Sequence, residues 1–207
     1  AIPSIQLRLL HGAAMIFTDR LGSENAFLRN KTLEHLANLL EIPAQDRLQV
    51  LESENYSQIA SCENKFSIGP FSLPINSSHE IAAAESSESF AFEAPTTRVS
   101  ALRVLRALQL GKAVLLEGSP GVGKTTLIDA LATATGNRLT RINLSEQTDL
   151  VDLFGSDLPV DGGVAGRFRW ADGPFLQALK RGDWILLDEL NLASQSVLEG
   201  LNACLDH

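Results

Sequence analysis

The residues with the most defined chemistry are Gly118 to Thr125, GSPGVGKT, which match the pattern G-x-x-x-x-G-K-[ST] without deviation. Gly118, Gly121 and Gly123 allow a tight turn whose backbone N–H groups converge on phosphate oxygens. Ser119, Pro120 and Val122 fill the same loop, and Thr126 follows it into a helix whose N-terminus adds further N–H donors. Lys124 is placed to reach the outer phosphates of a nucleotide, and the Thr125 hydroxyl to bind Mg²⁺. A second constellation lies 64 positions after Lys124, where the apolar run Trp184 to Leu187 ends in Asp188 and Glu189. An acid at the end of a buried strand, beside such a loop, is the expected metal partner. That assigns Mg²⁺, through water, to Thr125 and Asp188, and general-base work on an attacking water to Glu189. Taken alone, two acids closing a strand are an ordinary solvated turn; the upstream loop is what favours chemistry. Asn191 is either a solvated loop residue or a polar contact to Glu189 or the outer phosphate.

These groups need a scaffold, and the pattern supplies one. Ala113 to Leu116 reads as a short buried strand before the loop, and Lys124 to Thr135 as the helix after it. Leu139 to Leu144 reads as a second strand and Trp184 to Leu187 as a third. Strands alternating with helices imply a parallel sheet covered on both faces. Thr97 is placed to cap a helix carrying Leu102, Leu105 and Leu108, with Gly111 to end it. The stretch between the second and third strands is long for one connection. It should hold a short helix at 149–154, a hairpin around Gly162-Gly163 and a helix after Gly173-Pro174. Phe168 and Trp170, alternating beyond that turn, are expected to pack onto the sheet; the alternative is a hairpin that meets a partner. Exposure is the default for Arg167 and Arg169 beside them.

The first half is different. Residues 5–16 read as an apolar helix. Residues 32–41 read as another, with Thr32 as cap and Pro43 as stop. A short helix fits within 45–60. Phe66 with Ile68, and Phe90 with Phe92, suggest two short strands. Between them INSSHEIAAAESSES reads as a flexible solvated loop. The expected division is therefore 1–60 helical, 61–95 short strands and linker, and 96–207 an α/β nucleotide-binding domain.

Composition excludes several classes. The chain has 207 residues and a net charge of −8, with residues 1–95 holding 6 Lys and Arg against 12 Asp and Glu. An acidic chain without a basic stripe is not expected to bind nucleic acid directly. No apolar run of membrane-spanning length occurs, and AIPSIQLRLLHGAAMIF lacks the basic flank of a signal peptide. Cys62 and Cys204 form no metal-ligand pattern and read as lone buried thiols of a reducing compartment. His11, His35, His79 and His207 do not cluster.

Together the loop, GRFRWADGPF and WILLDELNLA resemble the AAA+ branch with an insert in its second helix. That branch includes MoxR-like chaperones, magnesium-chelatase subunits, dynein and midasin. LLEGSPGVGKTTL, RINLSEQTDLVDLFGSDLPV and LDELNLASQSVLEGLNACLDH look like modules of the midasin family, strongly over 90–207 and weakly before. The resemblance implies a three-layer P-loop NTPase core of the AAA+ type, truncated, behind a small helical segment that is the lid of a preceding module. It implies ATP and Mg²⁺ as cofactors, with Lys124 and Thr125 as the Walker A pair and Asp188 and Glu189 as the Walker B pair. The partners it implies are neighbouring AAA+ modules of one chain, the precursor of the large ribosomal subunit and its assembly factors, in the nucleolus and nucleoplasm. A non-hydrolysing structural module and a MoxR-type chaperone are the alternatives. No initiator Met is present, and no sensor strand, arginine finger or lid is found before His207. The expectation is a piece of a longer chain that does not turn over ATP alone.

Overall fold

The computed structural model describes residues 5–19, 21, 25–47, 59–62, 64–76, 92, 94–159 and 168–205. The chain divides into two compact units, Ala1–Leu127 and Ile128–His207.

In the first unit, α1 (Ile5–Ala13) runs directly into a π-helical turn, Ala14–Thr18. Leu7, Leu10 and Ala14 recur at helical spacing and form one buried cluster with Leu33, Ala37 and Ile42. The second helix, α2 (Ala26–Leu39), begins six residues before the expected cap. Thr32 therefore lies mid-helix, where its hydroxyl donates to the Leu28 carbonyl at 2.9 Å. Pro43 follows the helix as expected, and α3 (Ala44–Arg47) is a single turn. The rest of the proposed 45–60 helix lies outside the described residues, apart from Ile59 and Ala60, which are in a strand.

Three strands, β1 (Ile59–Cys62), β2 (Lys65–Ile68) and β3 (Phe71–Pro74), form an antiparallel sheet. Phe66 and Ile68 do form a buried strand, and the left-handed Gly69 lets it turn back into β3. The second expected strand is not found at Phe92, which sits in a turn with its ring 5.9 Å from Phe66; Phe90 and most of the expected loop lie outside the described residues. Next, α4 (Pro95–Leu108) packs on β2 and β3 through a face that buries Ala101, Leu102, Val104 and Leu105. Pro95, not Thr97, opens this helix, because a missing N–H costs nothing at a first helical position. Arg106 on α4 is buried and ion-pairs with Asp19, and its Nη1 lies 3.4 Å from His11 Nδ1. Burial, helped by the Arg106 charge, pushes the His11 imidazole down to about 4.

The helix α5 (Lys124–Ala134) leads from one unit into the other. In the second unit, β4 (Leu139–Asn143) pairs in parallel with the strand β7 (Trp184–Asp188), in the register Leu139↔Trp184 to Asn143↔Asp188. Between them come α6 (Leu150–Phe154), β5 (Gly155–Pro159), β6 (Phe168–Asp172) and α7 (Pro174–Arg181). The short helix, the hairpin and the Pro-initiated helix all stand where the pattern put them; Gly162 and Gly163 lie outside the described residues. Asp149 caps α6 in a reciprocal box with Asp152. A 3₁₀ turn, Leu190–Leu192, and α8 (Gln195–Leu205) follow β7.

Ile142, Leu144, Leu153, Phe175, Val197 and Leu201 make this unit's core. At Gly155, whose φ is +118°, a Cβ would collide with the Ala171 carbonyl, so only glycine allows β5 to approach β6 this closely. Asp183 sits at the start of β7 with its side chain 1% exposed and accepts from Thr140 and Arg181 at 2.9 Å. Burial opposes its ionisation. The hydrogen bonds from Thr140 and Arg181, with the charges of Arg181 and Arg138, outweigh that and hold its carboxyl below the usual range.

Two expectations fail here. Phe168 and Trp170 are 66% and 51% exposed rather than packed on the sheet, because among the described strands β5 and β6 pair only with each other. Arg169 beside them is exposed, and Arg167 lies outside the described residues. Cys204 is an exposed thiol near the end of α8, not a buried one, and the side chain of Cys62 lies outside the described set. Among the described residues no helix is long and apolar enough to cross a membrane.

Candidate nucleotide-binding site

The phosphate loop departs from expectation in its approach. Ala113 to Leu116 forms no strand, and Leu115 is 75% exposed. A strand exists only through a hydrogen-bonded neighbour, and among the described residues none pairs with this segment. The loop itself is sharply formed. Gly121 and Gly123 take φ of +80° and +81°. A Cβ at either would meet nothing within 4 Å, so glycine is required there for backbone conformation and not for space. Gly118 has no positive φ; a Cβ there would touch Val122 and Lys124 at ordinary distances of 3.6 and 3.7 Å.

Lys124 opens α5 and curls back over the loop. Its Nζ donates to the carbonyls of Gly118 at 2.8 Å and Ser119 at 2.9 Å. The ammonium is thus held over the turn by the loop's own oxygens. Ser119, Pro120 and Val122 are exposed, as is Thr126, while Thr125 is half-buried in the first helical turn. The Leu127 N–H closes the first intrahelical bond on the Gly123 carbonyl at 2.9 Å. The helix N-terminus, the left-handed glycines and a lysine held by loop carbonyls make a donor set that suits a polyphosphate. The Thr125 hydroxyl and the Asp188 carboxylate are hard oxygen donors of the kind Mg²⁺ takes.

The acidic pair closes β7 in the second unit, while the phosphate loop belongs to the first. Asp188 is the last strand residue, and its carbonyl accepts from the Leu144 N–H at 3.0 Å. Glu189 is left-handed, with φ of +57°, and leads into the 3₁₀ turn. The Glu189 N–H donates to Asp188 Oδ1 at 3.1 Å. Arg141 Nη2 on β4 donates to Asp188 Oδ2 at 2.5 Å. Asn191 is exposed. Arg141 was not singled out by sequence reasoning. The sequence alone carries no signal for it, because the link needs the strand register: paired residues of parallel strands share a face, so Arg141 and Asn143 lie on the face of Leu186 and Asp188.

A glycine-rich loop opening a helix, in a chain whose parallel strand pair ends in adjacent acids, defines a P-loop module of the AAA+ class. The model of the AAA domain, dynein-related subfamily, matches residues 113–207. Midasin of Dictyostelium discoideum is 48% identical over 96% of this chain and 4% of its own length. Midasin of Giardia intestinalis is 46% identical over 87% of this chain and 4% of its own length. An uncharacterized protein of Staphylococcus saprophyticus is 33% identical over 48% of the chain and 38% of its own length. The chain belongs to the midasin family of AAA+ proteins. It spans about 4% of the length of the midasins it matches.

Proposed function

We propose that this chain is an ATP-binding and ATP-hydrolysing module of a midasin-type remodelling machine. Gly118 to Thr126 hold the phosphates and Lys124 neutralises the outer ones. Thr125 and, through water, Asp188 hold Mg²⁺, and Glu189 takes the proton of the attacking water. Bound Mg²⁺ would supply charge neutralisation on the transferred phosphoryl group. The observation that carries this reading is the loop geometry: two left-handed glycines and Lys124 folded onto the loop carbonyls.

In this reading residues 1–60 are the lid of a preceding module and residues 96–207 the start of the next. Neighbouring modules in the same ring complete the catalytic site. The cycle releases assembly factors from precursors of the large ribosomal subunit in the nucleolus and nucleoplasm. The test is binding of a fluorescent ATP analogue with Mg²⁺ by the chain and by Lys124→Ala, which should lose more than tenfold in affinity, as expected for a charge-assisted contact. In the whole ring, Glu189→Gln should abolish this module's turnover and retain its nucleotide. A ring that works unchanged with Glu189→Gln makes the module a structural one.

A further inference from the structure

The carboxylate of Asp188 is already engaged at both oxygens: Oδ1 accepts from the Glu189 N–H and Oδ2 from the Arg141 guanidinium. Arg141 sits opposite Leu186 in the parallel register, two pairs before Asn143 and Asp188, so its side chain rises on the same face and reaches along the strand to the acid. The pair is partly exposed, with side-chain exposures of 53% for Arg141 and 24% for Asp188. A divalent cation held through water and a guanidinium draw on the same carboxylate charge and repel each other, so each weakens the other's hold on it.

We propose that Arg141 is a positioning residue that clamps Asp188 before metal arrives and sets the Mg²⁺ concentration at which the site responds. This rests on the reading of Asp188 as the metal-side acid. The clamp keeps the carboxylate aimed by the same strand pairing that carries β7, and it neutralises the charge that would otherwise attract stray cations. The metal, reaching the carboxylate through its bound water, then does so against the competing charge of the guanidinium.

The test titrates Mg²⁺ against binding of a fluorescent ATP analogue, with Arg141→Gln, Arg138→Gln and Asp188→Asn beside the parent chain. An exposed ion pair contributes modestly, so Arg141→Gln should lower the half-maximal Mg²⁺ concentration by about two- to fivefold. Arg138, at the other end of the strands and paired with Asp183, carries the same charge. Its removal should leave the midpoint unmoved, which separates a local clamp from a change in net charge. Should Arg141→Gln fail to fold, Arg141→Lys keeps the charge without the planar fork and should shift the midpoint the same way by less. An unmoved midpoint with Arg141→Gln, beside a raised or lost Mg²⁺ dependence with Asp188→Asn, overturns the clamp and leaves Asp188 its metal role. Equal shifts with Arg141→Gln and Arg138→Gln also overturn it. No change with Asp188→Asn overturns both readings.

Discussion

Gly121 and Gly123 reach φ of about +80° with no side chain to hinder them, while Glu189 holds +57° with a full one. The phosphate loop and the acidic end of β7 therefore obtain unusual backbone shapes in different ways. In the loop the residue type itself allows the conformation, and Lys124 closes the turn with bonds to carbonyls five and six residues earlier. At the acidic end the conformation is imposed by what surrounds it: the pairing of β7 with β4, the bond from the Glu189 N–H to Asp188, and the 3₁₀ turn that follows. A site shaped by local residues should tolerate damage to distant packing. A site shaped by its surroundings should not.

The largest test of that contrast removes packing under the acidic end. Leu201 on α8 is fully buried in the cluster with Ile142 and Val197, and Leu187 packs against that cluster. Leu201→Ala should destabilise the second unit by about 2–5 kcal/mol, the usual range for a buried leucine. Urea unfolding followed by the fluorescence of Trp184 in β7 and Trp170 in β6 reads this directly. A loss below about 1 kcal/mol would mean that the strand end does not depend on this core.

Lowering pH separates the two units without any substitution. His11 is neutral in the folded first unit, with its imidazole at about 4 against an ordinary 6.5. A group whose folded value is depressed leaves stability intact above the unfolded value and removes it as pH falls toward the folded one. The first unit should therefore weaken between pH 6.5 and 4, by at most about 3 kcal/mol from this residue. The second unit holds Asp183 below its usual range, so that contribution is present above about 4 and lost only in stronger acid. Hydrogen exchange at pH 7.5 and 5 should show α1 and α4 opening while β4 and β7 stay protected, and His11→Phe should remove most of the difference. Equal loosening of both units at pH 5 would refute the assignment to His11.

The loop itself answers to a smaller, local change. Gly123→Ala meets no steric obstacle but must occupy a left-handed conformation, at a cost of about 1–2 kcal/mol. The expected outcome is weaker binding of Mg·ATP by roughly tenfold, with the urea midpoint of the second unit unmoved. A collapse of both would show that the loop is held by packing after all.

These differences also decide what was legible beforehand. GSPGVGKT could be read because identity and spacing carry its geometry, and the helix starting at Lys124 lies where the motif places it. Helices such as α6 and α7 were legible for the same reason, since Asp149 and Pro174 mark their starts locally. Strand pairing is not local. The apolar residues 113–116 looked like a buried strand, but alternation and apolarity name no partner, and the segment has none among the described residues. The hairpin of β5 and β6 was visible in its alternation, yet alternation cannot tell whether Phe168 and Trp170 will be covered. Arg141 could be connected with Asp188 only once the register Asn143↔Asp188 was known.

The smallest effect is the most specific. If surrounding structure forces Glu189 into the left-handed region, replacing it by glycine should relieve part of that cost. The comparison must be made against Glu189→Gln, because both variants lose the carboxylate while only glycine gains conformational freedom. Relief of a left-handed side chain is offset by the extra entropy of glycine in the unfolded chain, leaving a net gain of about 0.5–1 kcal/mol. Thermal or urea unfolding should therefore place Glu189→Gly above Glu189→Gln. At Gly123 the same logic runs in reverse, since there a side chain adds strain. Glu189→Gly no more stable than Glu189→Gln would mean that the turn after β7 suits a left-handed side chain, and that this turn, like the phosphate loop, is shaped by local preference.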